Sequence, residues 1–191
     1  MMLSRRHAVK TLAAGATLGL IAPARAHNDA GAVTPPEAPP GVELTMHDGT
    51  PASLAKVLTD RVTALQLIFT SCGMTCPIQG AVFAAAAKEL GDRIASAQWL
   101  SITIDPPRDD PKTLSAWMAR FGAHPRWRAA RPDPPGLEKL LAFLRARTNG
   151  PDRHTAQVYF FDRRARLTMR SVDFPPSHEL LRVLGELDKR S

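Results

Sequence analysis

The sequence is short of cysteine, of long apolar runs and, beyond its first 26 residues, of net charge. Two cysteines in 191 residues are too few for a closed zinc site, which wants four ligands. The longest apolar run, TLAAGATLGLIAPA near the start, falls short of the about 20 residues that a membrane-spanning helix needs. The formal charge of +7 is concentrated in the leader, where Arg5, Arg6, Lys10 and Arg25 face no acid. Setting those four aside leaves 21 bases against 18 acids. A nucleic-acid role therefore loses its compositional basis. The basic stretches RWRAAR and RRARLTMR read as solvated faces. The chain carries no internal repeat.

What is present is ordinary globular material, 44% hydrophobic and 23% charged, enough for one domain with its own core. Residues 1–26 read as an export signal: a basic start, a short apolar stretch, and ARA at 24–26 as a small-x-small cleavage site. SRRHAVK is similar to a twin-arginine signal and departs from it at Ala8 and Val9. The expected destination is a bacterial periplasm, where disulfides persist. The protein there is soluble after cleavage, or tethered if the leader is kept. Residues 27–40, HNDAGAVTPPEAPP, read as a Pro/Ala-rich linker, and 41–191 as the folded domain.

Within that domain VTALQLIF (62–69) reads as a buried strand running into the cysteines. A helix is expected from Pro77, a residue suited to a first helical turn. AQWLSITID (97–105) is a second strand. DPKTLSAWMARFG is a helix with Asp110 or the preceding loop as cap and Gly122 as stop. GLEKLLAFLRART is another helix. TAQVYFFD and ARLTMRSV form a hairpin, and SHELLRVLGELDKR is a final amphipathic helix capped by Ser177. The order β-α-β-α-α-β-β-α fits an α/β, thioredoxin-like sandwich with a mixed central sheet flanked by helices. The cysteines then sit at a strand's C-terminal end, where open α/β sheets place their sites.

Cys72 and Cys76, four apart at a helix start, can bring their side chains together. A helix N-terminus favours thiolate. A disulfide closing so small a loop stabilises little, so the pair reads as functional thiols rather than a staple. Two thiolates suit Cu(I), especially with an added imidazole. Of six histidines, His7 lies in the leader, and His47, His124 and His178 read as surface residues. His27 would pair an α-amine with an imidazole, but on a linker. His154 opens a strand after TNGPDR; position alone leaves it either a third ligand or a loop histidine. Asp105 ends its strand at the site edge and can accept a hydrogen bond or orient the loop. Arg108 and Asp109 are expected to pair. Met74 is a spacer side chain that offers a thioether.

FTSCGMTCP, ITIDPPRDDP and DRHTAQVYFFD together resemble the SCO/SenC family of thioredoxin-like copper-binding proteins over about residues 41–188. The resemblance implies Cys72, Cys76 and His154 as ligands of copper, as Cu(I) and possibly Cu(II). It implies a metallochaperone whose partner is the copper-bearing subunit of cytochrome c oxidase, or another periplasmic copper or thiol protein. Neither nucleic acid nor a small-molecule substrate is expected. The alternative is a thiol-disulfide oxidoreductase in which Cys72 and Cys76 are the catalytic redox pair. The spacer GMT lacks the acid often found there in the family, and WRAARPDPP departs from its usual pattern. A thiol-peroxidase reading needs an activating arginine beside the cysteine and has only Arg108 to offer.

Overall fold

The computed structural model describes residues 30–146 and 155–190. Its strands are β1 (Gly31–Glu37), β2 (Glu43–Met46), β3 (Pro51–Ser53), β4 (Val62–Ile68), β5 (Ala97–Thr103), β6 (Trp127–Pro132), β7 (Val158–Phe161) and β8 (Leu167–Arg170). Its helices are α1 (Leu54–Leu58), α2 (Thr75–Leu90), α3 (Pro111–Ala119), α4 (Pro134–Leu144) and α5 (Ser177–Lys189). The strands form one sheet in the order β1-β8-β7-β4-β5-β6-β2-β3. β4 runs parallel to β5, and β5 to β6; the remaining pairs are antiparallel. This is the mixed α/β sandwich expected from the sequence.

Both faces of the sheet are covered, so its central strands are buried throughout, as β4 and β5 are. Side chains alternate between two cores. Val62, Ala64 and Ile68 of β4 join one core with α2, α3 and α5. Leu65 and Leu67 join the other with α1 and α4. The first core is built on aromatic rings: Phe83 of α2 meets Trp99 edge-on at 5.2 Å and Trp127 at 5.8 Å, and Trp117 meets Trp127 at 5.9 Å. Gly80 lets α2 sit close to the Phe121 ring; a Cβ there would lie 2.6 Å from it.

Several elements differ from the sequence reading. Residues 31–37, expected within the linker, form β1 against β8. Pro35 and Pro36 are tolerated because β1 is an edge strand, and its register shifts across them. RWRAAR, read as a solvated face, is mostly β6: Trp127, Ala129 and Ala130 are buried. Arg126 beside it donates to the Ile94 carbonyl and pairs with Asp92. RRARLTMR likewise contains β8, with Arg170 only 4% exposed and donating to the Phe143 and Leu144 carbonyls at the end of α4. The Asp110 cap is as expected, accepting from the Thr113 amide at 2.7 Å. Ser177 does not cap α5; Pro176 takes that position without a side-chain hydrogen bond.

Phe83 ties α2 to two strands at once, so Phe83→Ala should cost about 3–5 kcal/mol. Denaturant unfolding of the reduced protein should show a lower midpoint at an unchanged slope. Phe83→Leu should cost much less.

Candidate metal centre

The thiol loop is the turn between β4 and α2. α2 begins at Thr75, two residues earlier than expected, which places Cys76 inside its first turn and Cys72 before it. Pro77 falls where a missing amide costs nothing. The N-cap is Met74, whose side chain makes no capping hydrogen bond. The first amides of a helix need acceptors, and here a sulfur serves. The Cys76 amide donates to Cys72 Sγ at 3.3 Å. The Phe69 amide donates to Cys76 Sγ at 3.5 Å. The two cysteines are not joined in a disulfide, and both are buried, Cys72 8% and Cys76 1% exposed.

The two sulfurs hold their protons differently. Burial pushes the Cys72 thiol up, but hydrogen bonds from the Cys76, Met74 and Thr75 amides and from the Cys76 thiol together hold it below its ordinary value of 9.0. Cys76 is pushed up to about 12, first by burial, with its bond to Cys72 and the nearby Cys72 and Asp109 charges adding. The Phe69 amide opposes that rise without cancelling it. Cys72 is thus the more readily ionised of the pair, and Cys76 the one that holds its proton.

Asp109 anchors the loop. It is 1% exposed. It accepts from the Thr70 amide at 3.1 Å, the Thr70 hydroxyl at 2.5 Å and the Thr103 hydroxyl at 2.5 Å. One carboxylate thereby joins the ends of β4 and β5. The expected Arg108–Asp109 pair does not form. Arg108 pairs instead with Asp105 at 3.1 Å, its own side chain 78% exposed. The Asp105 carbonyl accepts from the Arg108 and Asp109 amides at 3.0 Å each, so Asp105 closes the turn that aims Asp109 inward. The sequence signal for Asp109 was the first acid of PPRDDP together with Thr70 just past β4 and Thr103 at the end of β5.

His154 lies outside the described residues. The chain that follows it is firmly held. The Gln157 side chain donates to the Ser171 carbonyl at 2.8 Å, the Val158 amide to the Ser171 hydroxyl at 2.7 Å, and the Phe174 amide to the Ala156 carbonyl at 3.0 Å. β7 runs antiparallel to β4 with Val158 opposite Gln66. The chain preceding Val158 therefore heads for the same sheet end as the thiol loop. Among the described residues, no group of three or more His, Cys, Asp or Glu side chains is placed to hold a metal ion. Met74 is 78% exposed. His47 is engaged with the Ala129 backbone, and His124 Nδ1 accepts from the Arg126 amide. His178 lies in the first turn of α5. His7 and His27 lie outside the described residues.

Two measurements check this geometry. With limiting iodoacetamide near neutral pH, Cys72 should be alkylated several-fold faster than Cys76, and its rate should rise through an apparent pKa below 9. In the sign of linkage, the depressed Cys72 value contributes stability above its unfolded pKa that is lost as pH falls through the folded one. The raised Cys76 value destabilises the fold as pH climbs from about 9 towards 12. Asp109→Ala strands buried threonine donors, so it should cost about 2–4 kcal/mol in denaturant unfolding.

Known proteins share the family pattern and the fold. Residues 40–182 match the SCO1/SenC family. No curated protein matches the chain in sequence. Among solved structures, ScoI of Bradyrhizobium japonicum with copper bound superposes with a TM-score of 0.65 at 21% identity, covering 78% of this chain and 99% of that one. A SCO1/SenC family lipoprotein from Bacillus anthracis gives a TM-score of 0.67 at 22% identity over 81% and 98%. BsSco, described as having a disulfide switch and as a member of the Sco family of cytochrome c oxidase assembly proteins, gives 0.69 at 19% over 82% and 96%. No helix among the described residues is long and apolar enough to cross a membrane. With the family match spanning most of its length, the chain belongs to the SCO1/SenC family.

Proposed function

We propose that this protein is a periplasmic copper metallochaperone that holds one copper ion through Cys72, Cys76 and His154 and delivers it to the copper-bearing subunit of cytochrome c oxidase. The carrying observation is the meeting of two sulfurs at the N-terminus of α2, one of them already favouring thiolate. Soft thiolates and an imidazole suit Cu(I). The antiparallel register of β4 and β7 supports His154 as the third donor, because it directs the preceding chain towards the thiols. Copper-bound ScoI supports the choice of metal. The basic, apolar and ARA segments of the leader support export.

The ion is cargo, so the site must release it as well as hold it. Three protein donors leave one side open. A partner's thiolate enters there and binds before Cys72 or Cys76 lets go, which avoids the slow loss of free ion. Loading displaces the proton that Cys76 holds, so uptake releases protons. Oxidation of the two thiols to a disulfide removes both sulfur donors and closes the site to copper. Asp105 acts on the site indirectly, through the turn that presents Asp109.

One observation favours a second reading. The unequal proton affinities of Cys72 and Cys76 are those of an attacking and a resolving thiol in a thioredoxin-like oxidoreductase. That activity needs both cysteines and not His154.

Anaerobic titration of the reduced protein should reach one copper per chain, with X-ray absorption counting two sulfur neighbours and one nitrogen. His154→Ala should lower copper affinity by more than about tenfold, the lower end of the range that even outer-shell changes reach. The same variant should keep thiol–disulfide exchange. Unchanged copper affinity in His154→Ala would overturn the three-donor site. Copper-free protein that exchanges disulfides with a partner would favour the oxidoreductase.

A further inference from the structure

The exposed large apolar side chains of the described residues are Met74, Ile78, Val172 and Phe174. They come from two segments only: the thiol loop with the first turn of α2, and the stretch after β8. Met74, Ile78 and half-buried Val82 succeed one another at four-residue spacing, which sets them along one face at the start of α2. Phe174 and Pro175 share a crevice with Gln79, Val82 and Phe83. The apolar stripe therefore runs from Met74, between the two cysteines, to Phe174 beside the second turn of α2. Phe174 is held with φ at +51°, a left-handed backbone that an aromatic residue rarely adopts. Its amide bond to the Ala156 carbonyl keeps it there with its ring half-exposed. Strain kept at such a place points to use rather than to packing.

Resting on the copper-delivery reading, we propose that Met74, Ile78, Val172 and Phe174 form the docking face for the protein that accepts the copper, and that this partner is uncharged and apolar around its own thiols. Charge identifies the occupant. Residues 69–82 contain no ionisable side chain besides the cysteines, and residues 171–176 contain only Asp173. A partner bringing charges here would strip them of water with Asp173 alone to meet them. A membrane surface is disfavoured because these segments lack the Lys and Arg that bind anionic lipid. Size sets the lifetime. Four side chains cover far less than the about 800 Å² per partner of a stable interface, so the contact is brief. That excludes a permanent dimer of this chain and suits an encounter that ends when the metal has crossed.

The test uses the copper-loaded protein and its Ile78→Gln/Phe174→Asn variant, Asn being at ease at positive φ. The probe is the copper-free, copper-bearing domain of a bacterial cytochrome c oxidase subunit, with dithiothreitol as a small extractant that needs no docking. The variant should transfer copper to the protein probe at least tenfold more slowly, with copper affinity and extraction by dithiothreitol unchanged. Ile78→Leu should transfer at the original rate. Equal rates in variant and parent overturn the proposal. A parallel loss of affinity or of extraction overturns it too, since the residues then act on the metal. A parent dimer that dissociates in the variant, or variant-sensitive binding to phosphatidylglycerol vesicles, reassigns the face and overturns it as well. If the parent binds no copper, the delivery reading itself has failed, and docking fails with it.

Discussion

The site depends on the amides that α2 leaves unpaired at its N-terminus. Most helices satisfy those groups with a Ser, Thr, Asp or Asn side chain. Here the cap is Met74, which offers none, and Cys72 Sγ takes the Cys76 amide instead. This one substitution of sulfur for oxygen fixes the loop conformation and brings Cys72 back over the helix. It also stabilises negative charge on the sulfur that caps it. Cys76, one turn in, is buried against the core and accepts from the Phe69 amide, too little to offset its burial, so it keeps its proton. Helix capping and thiol chemistry are the same interaction seen from two sides.

Sheet register supplies what capping cannot. β4 and β5 are parallel with Ile68 opposite Thr103, so both strands end at one edge. Asp109 reaches across that edge and binds Thr70 and Thr103 together. β7 runs the other way beside β4, so its N-terminal approach converges on the same edge. Three segments distant in sequence thus meet because of strand direction. The two cores beneath hold that register: a slip of one residue would turn Ile68 and Leu67 into each other's core.

Much of this was legible in the sequence because local rules determine it. VTALQLIF reads as a buried strand, Asp110 as a cap, and a cysteine pair ahead of an alanine-rich run as a helix start. What was not legible depends on partners far along the chain. GAVTPPE carries no periodicity, and it becomes β1 only because β8 offers it an edge. RWRAAR looks basic when residues are counted. Its Trp127 is nonetheless central to the aromatic core, because β5 offers a parallel neighbour. Asp105 and Asp109 look alike as acids after a strand. The turn decides between them, giving the first to solvent-facing Arg108 and the second to half-buried Thr70 and buried Thr103. The role proposed for His154 rests on the family pattern and on the direction of β7, not on a local rule.

The unequal thiols and the uncharged face belong to one physical scheme. A proposed copper donor must hold its ion tightly and yet give it up on contact. A site with both sulfurs permanently ionised would hold two negative charges near the buried Asp109 carboxylate, at a cost that metal-free protein would carry all the time. Keeping Cys76 protonated avoids that cost until a cation arrives to meet the second thiolate. Taking the ion away reverses the balance, because Cys76 regains its proton and its buried, neutral form. On the proposed delivery reading, reprotonation of Cys76 would favour release of the cargo ion to an incoming thiolate. An apolar docking face contributes by excluding water while the exchange proceeds. In that drier setting the attraction between the cation and each competing thiolate is strong, and the ion has no path to solvent.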